Sequence, residues 1–161
     1  MAGALPVTMS PPPALPPALP TSTTACGLIL FAHGARDPAW AAPFIAVAGQ
    51  AAAARPGLVV RLAFLEFMSP GLAEAGAELA ALGCGQVDVV PLFLGMGGHV
   101  RKDVPVLMAA LQAHWPAVVW RLHPAAGAAP RVIDALAQTA LEAVGLPGAE
   151  PAAAALPLAQ A

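Results

Sequence analysis

The chain has 161 residues, of which 58% are hydrophobic and 10% are charged, and its formal net charge is −2. This length predicts one domain with enough residues for a core, and the charge excludes the basic stripe that neutralises a nucleic-acid backbone. No apolar run reaches the roughly 18 residues that a membrane span requires. Neither nucleic acid nor a membrane is therefore an expected partner.

Both ends of the chain are rich in proline and alanine. Such segments bury little surface, so residues 1–25 are predicted to be a disordered tail and residues 146–161 a flexible tail. Prolines also interrupt the apolar core that a secretory signal would need. Cys26 and Cys84 are too few for a disulfide framework, and we interpret them as reduced, buried thiols of a cytoplasmic protein.

Strand and helix patterns alternate four times within the predicted domain, residues 26–145. The predicted strands cover about 27–32, 58–65, 86–92 and 117–122, and the predicted helices cover about 38–55, 71–82, 100–114 and 131–144. Parallel strands need crossover connections, which helices usually provide. The pattern therefore predicts an α/β fold: a single three-layer domain with a four-stranded parallel sheet flanked by helices.

Polar residues are concentrated where two of the predicted strands end. The first strand is followed by His33, Arg36 and Asp37. In an open parallel sheet the carboxyl ends of the strands form the edge at which ligands bind. The third strand is followed by the segment Gly95-Met96-Gly97-Gly98-His99-Val100-Arg101-Lys102-Asp103.

Three side chains at this edge could bind a metal ion. His33 and His99 follow different strands, and their imidazoles can approach each other if the first and third strands are neighbours. Glu66 leaves the second strand at the same edge. Two imidazoles and a carboxylate suit cobalt, nickel, zinc or ferrous iron, and histidine is also a base near neutral pH. Taken alone, a histidine at a strand end is more often a hydrogen-bonded structural group.

The remaining residues of the two segments suggest a substrate. Gly97 and Gly98 would allow a large flat molecule to lie close to the backbone. Arg36, Arg101 and Lys102 could then bind its carboxylates. The alternative for these cations is a solvated rim that pairs with neighbouring aspartates.

Two further histidines are interpreted as structural. His114 lies at a helix end, where it complements the last carbonyls. His123 follows the fourth strand on the functional edge, so a peripheral role stays open for it.

Three segments together resemble the sirohydrochlorin cobaltochelatases of the class II chelatase superfamily, over residues 28–144. They are His33-Gly34-x-Arg36-Asp37-Pro38, Leu65-Glu66-x-x-x-Pro70 and Val90-Pro91-Leu92-Phe93-Leu94-x-x-Gly97-Gly98-His99-Val100-x-x-Asp103.

The resemblance implies a chelatase-like fold and insertion of Co²⁺ into sirohydrochlorin during cobalamin biosynthesis, with no organic cofactor and the divalent metal as a substrate. It also implies that His33 and His99 bind the metal and take part in proton removal, with Glu66 at an acidic position near the site. A chain with length for one lobe is similar to the short form of the family, which implies a homodimer whose two lobes enclose the tetrapyrrole.

Other functions compete with this one. Within enzymes, the same reaction could use Fe²⁺ or Ni²⁺, since the affinity order of metals does not select cobalt. A metal or tetrapyrrole carrier would bind without turnover. A histidine phosphatase usually has arginine directly before its histidine, where this chain has Ala32, and a dinucleotide site would need the full GxGxxG spacing.

Overall fold

A computed structural model describes residues 25–95, 97–98 and 100–145. His99 and both predicted tails lie outside the described residues, except for Ala25, which begins the first strand. The strands are β1 (Ala25–Ala32), β2 (Leu58–Phe64), β3 (Cys84–Pro91) and β4 (Val119–Leu122), and the helices are α1 (Ala42–Ala54), α2 (Leu72–Ala81), α3 (Val100–His114) and α4 (Pro130–Ala143).

The four described strands form one parallel sheet in the order β2-β1-β3-β4. The predicted α/β fold, with a four-stranded parallel sheet between helices, is confirmed. The register aligns Phe31 of β1 with Ala63 of β2 and with Pro91 of β3. The three longer strands therefore end together, at one edge of the sheet.

The main core lies on the face of the sheet that α2 and α3 cover. Ile29 and Phe31 from β1 and Val87 and Val89 from β3 are fully buried there. A smaller cluster on the opposite face joins Ala32 and Phe64 to the first helical segment after β1. Apolar residues of a strand thus alternate between two helix-covered faces, which explains why β1 has a nearly continuous apolar sequence.

The first predicted helix is divided into two parts. Residues Pro38–Ala41 form a 3₁₀ turn, capped by Asp37, whose Oδ1 accepts a hydrogen bond from Ala39 N at 2.9 Å. A continuous helix would need a hydrogen bond from residue 43 to residue 39, and Pro43 has no N–H to donate. The α-helix therefore begins at Ala42, with Pro43 in its first turn, where proline is tolerated.

The two thiols differ in their burial. Cys84 is buried, and this burial raises the pKa of its thiol. Cys26 is exposed, so the expectation of two buried thiols is wrong for this residue. Cys26 lies near the amino end of β1 and alternates onto the face opposite Ile29 and Phe31, away from the main core.

Helix α4, like α1, has no buried residue, and it differs from the other helices because it packs mainly on a 3₁₀ turn, Ala126–Ala128. No helix among the described residues is both long enough and apolar enough to cross a membrane.

Candidate active site at the carboxyl edge of the sheet

The strand order reverses between β1 and β3, and we call the space just beyond the carboxyl ends of these two strands the crevice. The chain passes from β1 to β2 on one side and then returns to β3 on the other side of β1. Ligands of open α/β sheets bind at such a reversal of strand order. Leu92 N extends the pairing of the two strands by donating to Phe31 O at 2.7 Å. β1 and β3 are therefore neighbours. This is the condition for bringing the His33 and Gly97-Gly98 segments together.

His33 lies directly after β1 and is partly buried. Its ring centroid is 4.2 Å from that of Phe93, and the two rings are inclined by 34°. Phe93 is itself buried in the main core. The imidazole is therefore supported by a side chain that the core holds in place, which is the rigid support that a ligand or base requires.

The turn after His33 fits tightly against the loop that follows β2. Glu66 N donates a hydrogen bond to His33 O at 3.0 Å. Gly34 has a φ of +88°, and a Cβ on this residue would collide with the Glu66 carbonyl. Only glycine fits this position. The backbone of Glu66 thus adjoins His33, as predicted for two residues at one edge, and the Glu66 side chain is exposed.

The loop after β2 also contains a residue that the sequence analysis did not identify. Phe67 has a φ of +63° and a side chain that is 62% exposed. The guanidinium carbon of Arg36 lies 5.6 Å from the centroid of its ring. A lone aromatic residue in a loop gives no periodic signal, so the sequence pattern could not distinguish it from a packing residue.

The glycine-rich segment leads into helix α3. Arg101 N donates to Gly97 O at 3.1 Å, and Val100 is buried in the main core. Because Val100 is held by the core, the start of the helix is fixed next to the crevice. His99 lies outside the described residues, so its place in the site stays a prediction.

A loop after β4 supports the start of the same segment. Gly127 N donates to Phe93 O at 2.9 Å. A Cβ on Gly127 would collide with the backbone of Leu94. The 3₁₀ turn that contains Gly127 is therefore in direct contact with the chain just before Gly95.

The three predicted substrate-binding cations, Arg36, Arg101 and Lys102, are all exposed at this edge of the sheet. Arg36 follows β1, and the other two lie in the first turn of α3. Nearby, a cavity of about 350 Å³ is lined by Leu65, Asp103, Val106 and Leu107. The edge thus combines three exposed cations with a cavity that is lined by three apolar residues and the acidic Asp103.

Among residues 25–95, 97–98 and 100–145, no three His, Cys, Asp or Glu side chains are grouped closely enough to hold a metal ion. The predicted ligand set consists of His33, His99 and Glu66. Since His99 is outside the described residues, the set stays a prediction.

The two structural histidines make contacts of the expected kind. His114 Nδ1 lies 3.0 Å from the Ala110 carbonyl oxygen in the last turn of α3. His123 Nε2 lies 2.7 Å from Asp88 Oδ1. Burial alone would raise the pKa of Asp88, but its hydrogen bonds with His123 and Gln86, together with the charges of His123 and Arg121, lower it below the usual value.

Solved structures with a similar fold include those of chelatases. The cobalt complex of the sirohydrochlorin chelatase SirB from Bacillus subtilis subspecies spizizenii shares this fold, with a TM-score of 0.57 and 21% identity over 62% of this chain and 43% of that chain. A protein of Marinobacter aquaeolei VT8, described as a putative cobalamin biosynthesis CbiX protein, is more similar, with a TM-score of 0.66 and 32% identity over 74% of this chain and 98% of that chain.

The sequence profile of the CbiX family matches residues 27–143, and the chain belongs to this family. The sirohydrochlorin cobaltochelatase of Saccharolobus solfataricus is 37% identical over 82 residues, which are 51% of this chain and 62% of that protein. The protein of the same name in Methanosarcina acetivorans is 32% identical over 87 residues, 54% of this chain and 67% of the relative. The match thus spans less than two thirds of the Saccharolobus protein's length.

Proposed function

We propose that this chain is a cytoplasmic sirohydrochlorin cobaltochelatase, which inserts Co²⁺ into sirohydrochlorin in cobalamin biosynthesis. The observation that carries the proposal is the crevice between β1 and β3, where His33 leaves one strand and the glycine-rich segment leaves its neighbour. Membership of the CbiX family and relatives named sirohydrochlorin cobaltochelatase support the same function.

The chemistry of insertion explains the need for two histidines. Co²⁺ replaces two pyrrole N–H protons, so the reaction consumes one metal ion and one free macrocycle and releases the metallated macrocycle and two protons. In the proposed mechanism His33 and His99 each bind the ion through the one ring nitrogen that has a free lone pair, and each accepts a pyrrole proton at that nitrogen as the ion passes to the macrocycle. One well-positioned base typically contributes about 10²- to 10⁴-fold to a rate. Two imidazoles also leave coordination positions open, so the ion can be transferred.

The glycines at this edge are evidence for a substrate that lies against the backbone. A Cβ on Gly95, Gly97 or Gly98 would have no described atom of the chain within 4 Å, and neither Gly95 nor Gly98 has a positive φ. The described fold therefore does not require glycine at these positions. Close approach of a flat macrocycle does require it, and the exposed Arg36, Arg101 and Lys102 would pair with the macrocycle's carboxylates.

A homodimer is part of the proposal, because helix α4 of the described chain presents an uncovered apolar surface. Helix α4 carries an apolar stripe, defined by Ile133, Leu136 and Ala140, that is exposed along its length. Among the described residues no helix packs on the β3–β4 half of the sheet face opposite the main core, where Val119 is exposed. That half of the sheet face also carries the polar side chains of Gln86, Asp88 and Arg121, so it does not match the apolar stripe. In a twofold dimer the α4 stripes of the two copies would instead pack on each other.

The function is tested by anaerobic absorbance assays with sirohydrochlorin and Co²⁺, Fe²⁺ or Ni²⁺, at substoichiometric protein. Multiple turnovers, fastest with Co²⁺, are expected. Faster turnover with Fe²⁺ or Ni²⁺ than with Co²⁺ would mean that this metal, and not cobalt, is the metal substrate. Stoichiometric metal binding without turnover would make the protein a carrier.

The roles of the histidines are tested by His33→Ala and His99→Ala, each compared with His114→Ala at the exposed end of α3. We expect both site variants to lose insertion while their thermal unfolding stays close to wild type, and the His114 variant to retain activity. Full activity in both site variants would overturn the assignment.

A further inference from the structure

Phe67 occupies a strained turn beside His33. Met68 N donates to Glu66 O at 2.8 Å, two residues back, and Phe67 between them has a φ of +63°. These two features define a γ-turn with positive φ, which is rare and strained for a residue with a side chain. Backbone strain of this kind is concentrated at functional sites.

The fold does not use the ring that this strained turn presents. Leu65 packs against the main core and Met68 against the smaller cluster, whereas Phe67 belongs to neither and is 62% exposed. The residues on both sides of the turn are thus held inward, and the Phe67 ring is directed outward. Apart from its contact with Arg36, a large aromatic side chain exposed on this strained backbone adds no packing energy to the folded chain.

The ring is located at the proposed site. Glu66, the preceding residue, is hydrogen-bonded through its backbone to His33. Arg36, from the same loop as His33, lies over the ring at 5.6 Å, within the range of a cation–π interaction. An aromatic surface and a guanidinium are therefore presented together, next to the histidine.

We propose that Phe67 is a substrate-contacting residue, whose ring packs against the flat face of the macrocycle while Arg36, oriented by that ring, pairs with one of the macrocycle's peripheral carboxylates. This inference rests on the proposed function and adds a contact to it. Aromatic rings prefer offset or edge-to-face contacts with other π-systems. A carboxylate at the rim of the macrocycle would then lie within reach of the guanidinium.

The test compares Phe67→Gly, Phe67→Tyr and Leu82→Ala with the wild-type chain. Glycine relieves the positive φ and removes the ring, whereas tyrosine keeps the ring. Leu82 is exposed to a similar degree at the end of α2, before β3 and thus at the opposite edge of the sheet, and is the matched control. The measurements are the Kd for metal-free sirohydrochlorin by fluorescence titration, the KM and kcat for cobalt insertion, and the Tm.

We expect the glycine variant to bind sirohydrochlorin between about twofold and tenfold more weakly, the loss of one aromatic contact, with a raised KM and a Tm that does not fall. The tyrosine and Leu82 variants should keep wild-type Kd values. An unchanged Kd in the glycine variant, or a lowered Tm that shows a structural role, would overturn the proposal.

Failure of the proposed function gives a different result. A wild-type chain that binds sirohydrochlorin but metallates it with no ion would contradict the chelatase function, and weaker binding by Phe67→Gly would still support the contact. A wild-type chain that does not bind sirohydrochlorin at all would contradict both.

Discussion

Glycines at the carboxyl edge have two different physical roles. Gly34 cannot carry a side chain, because its φ is positive and the Glu66 carbonyl occupies the space, whereas a Cβ on Gly97 or Gly98 would meet no atom of the described residues within 4 Å. We expect Gly97→Ala and Gly98→Ala to leave the Tm nearly unchanged while raising the KM for sirohydrochlorin severalfold. Gly34→Ala should instead destabilise the fold by at least about 1 kcal/mol, as urea denaturation would measure. A large loss of stability in the first two variants, with unchanged kinetics, would contradict the substrate-contact role.

Asp88 makes the stability of the folded chain depend on pH in the acid range. Its pKa is lower when folded, so the ionised form favours folding, and this stabilisation is complete above the unfolded pKa of about 3.9. It is lost as the pH falls through the lower folded pKa. We expect wild type to be more stable than Asp88→Asn at pH 7 and the difference to shrink below about pH 4. Urea denaturation at pH 7 and pH 3 measures it, and an equal difference at both pH values would contradict the role of this carboxylate.

Single residues were predictable from the sequence when the strand pattern fixed their position. His33, Glu66 and Gly97 follow apolar strands, so their common edge was evident before any contact was known. Phe67 was missed because its importance depends on a backbone angle and on the neighbouring Arg36, and a linear pattern contains neither.

At the scale of elements, the turn Ala126–Ala128 supports the segment after β3 through the contact of Gly127 with the Leu94 backbone. Gly127→Ala would force these two backbones apart and displace the start of the glycine-rich segment. We expect a reduced rate of cobalt insertion together with a lowered Tm. The control is Gly49→Ala, since a Cβ at Gly49 in α1 meets nothing within 4 Å. Alanine is favoured over glycine inside a helix by roughly 0.5–1 kcal/mol, so this control should be slightly more stable and fully active. Wild-type kinetics in Gly127→Ala would contradict the supporting role of this turn.

Elements with strong internal signals agreed with their predicted bounds. Helix α3 runs over Val100–His114 as predicted, because its apolar spacing is regular and Pro116 prevents its continuation. The first helix is interrupted where Pro43 removes a donor, a local effect that its apolar spacing did not reveal. The contact between Gly127 and Leu94 joins residues distant in sequence, so no local pattern could indicate it.

The whole molecule is expected to function as a dimer, and α4 provides the means to test this. Leu136 lies on the apolar stripe, whereas Ala135 is exposed on the opposite, polar side of the same helix with Gln138 and Glu142. Burying a carboxylate in an apolar interface costs several kcal/mol, so Leu136→Asp should dissociate the dimer and Ala135→Asp should not. Sedimentation velocity at micromolar concentration distinguishes the two states.

Activity should follow assembly if two lobes are needed to enclose the tetrapyrrole. We therefore expect Leu136→Asp to lose most of its insertion rate at concentrations where wild type is dimeric, while Ala135→Asp keeps it. Both aspartates would be exposed on a separated chain, so a difference between these variants reflects the interface and not the folding of the helix. A dimeric Leu136→Asp variant would show that α4 is not the interface. A monomeric wild type with full activity would show that one lobe is sufficient, and the crevice between β1 and β3 would then have to hold the macrocycle without a second lobe.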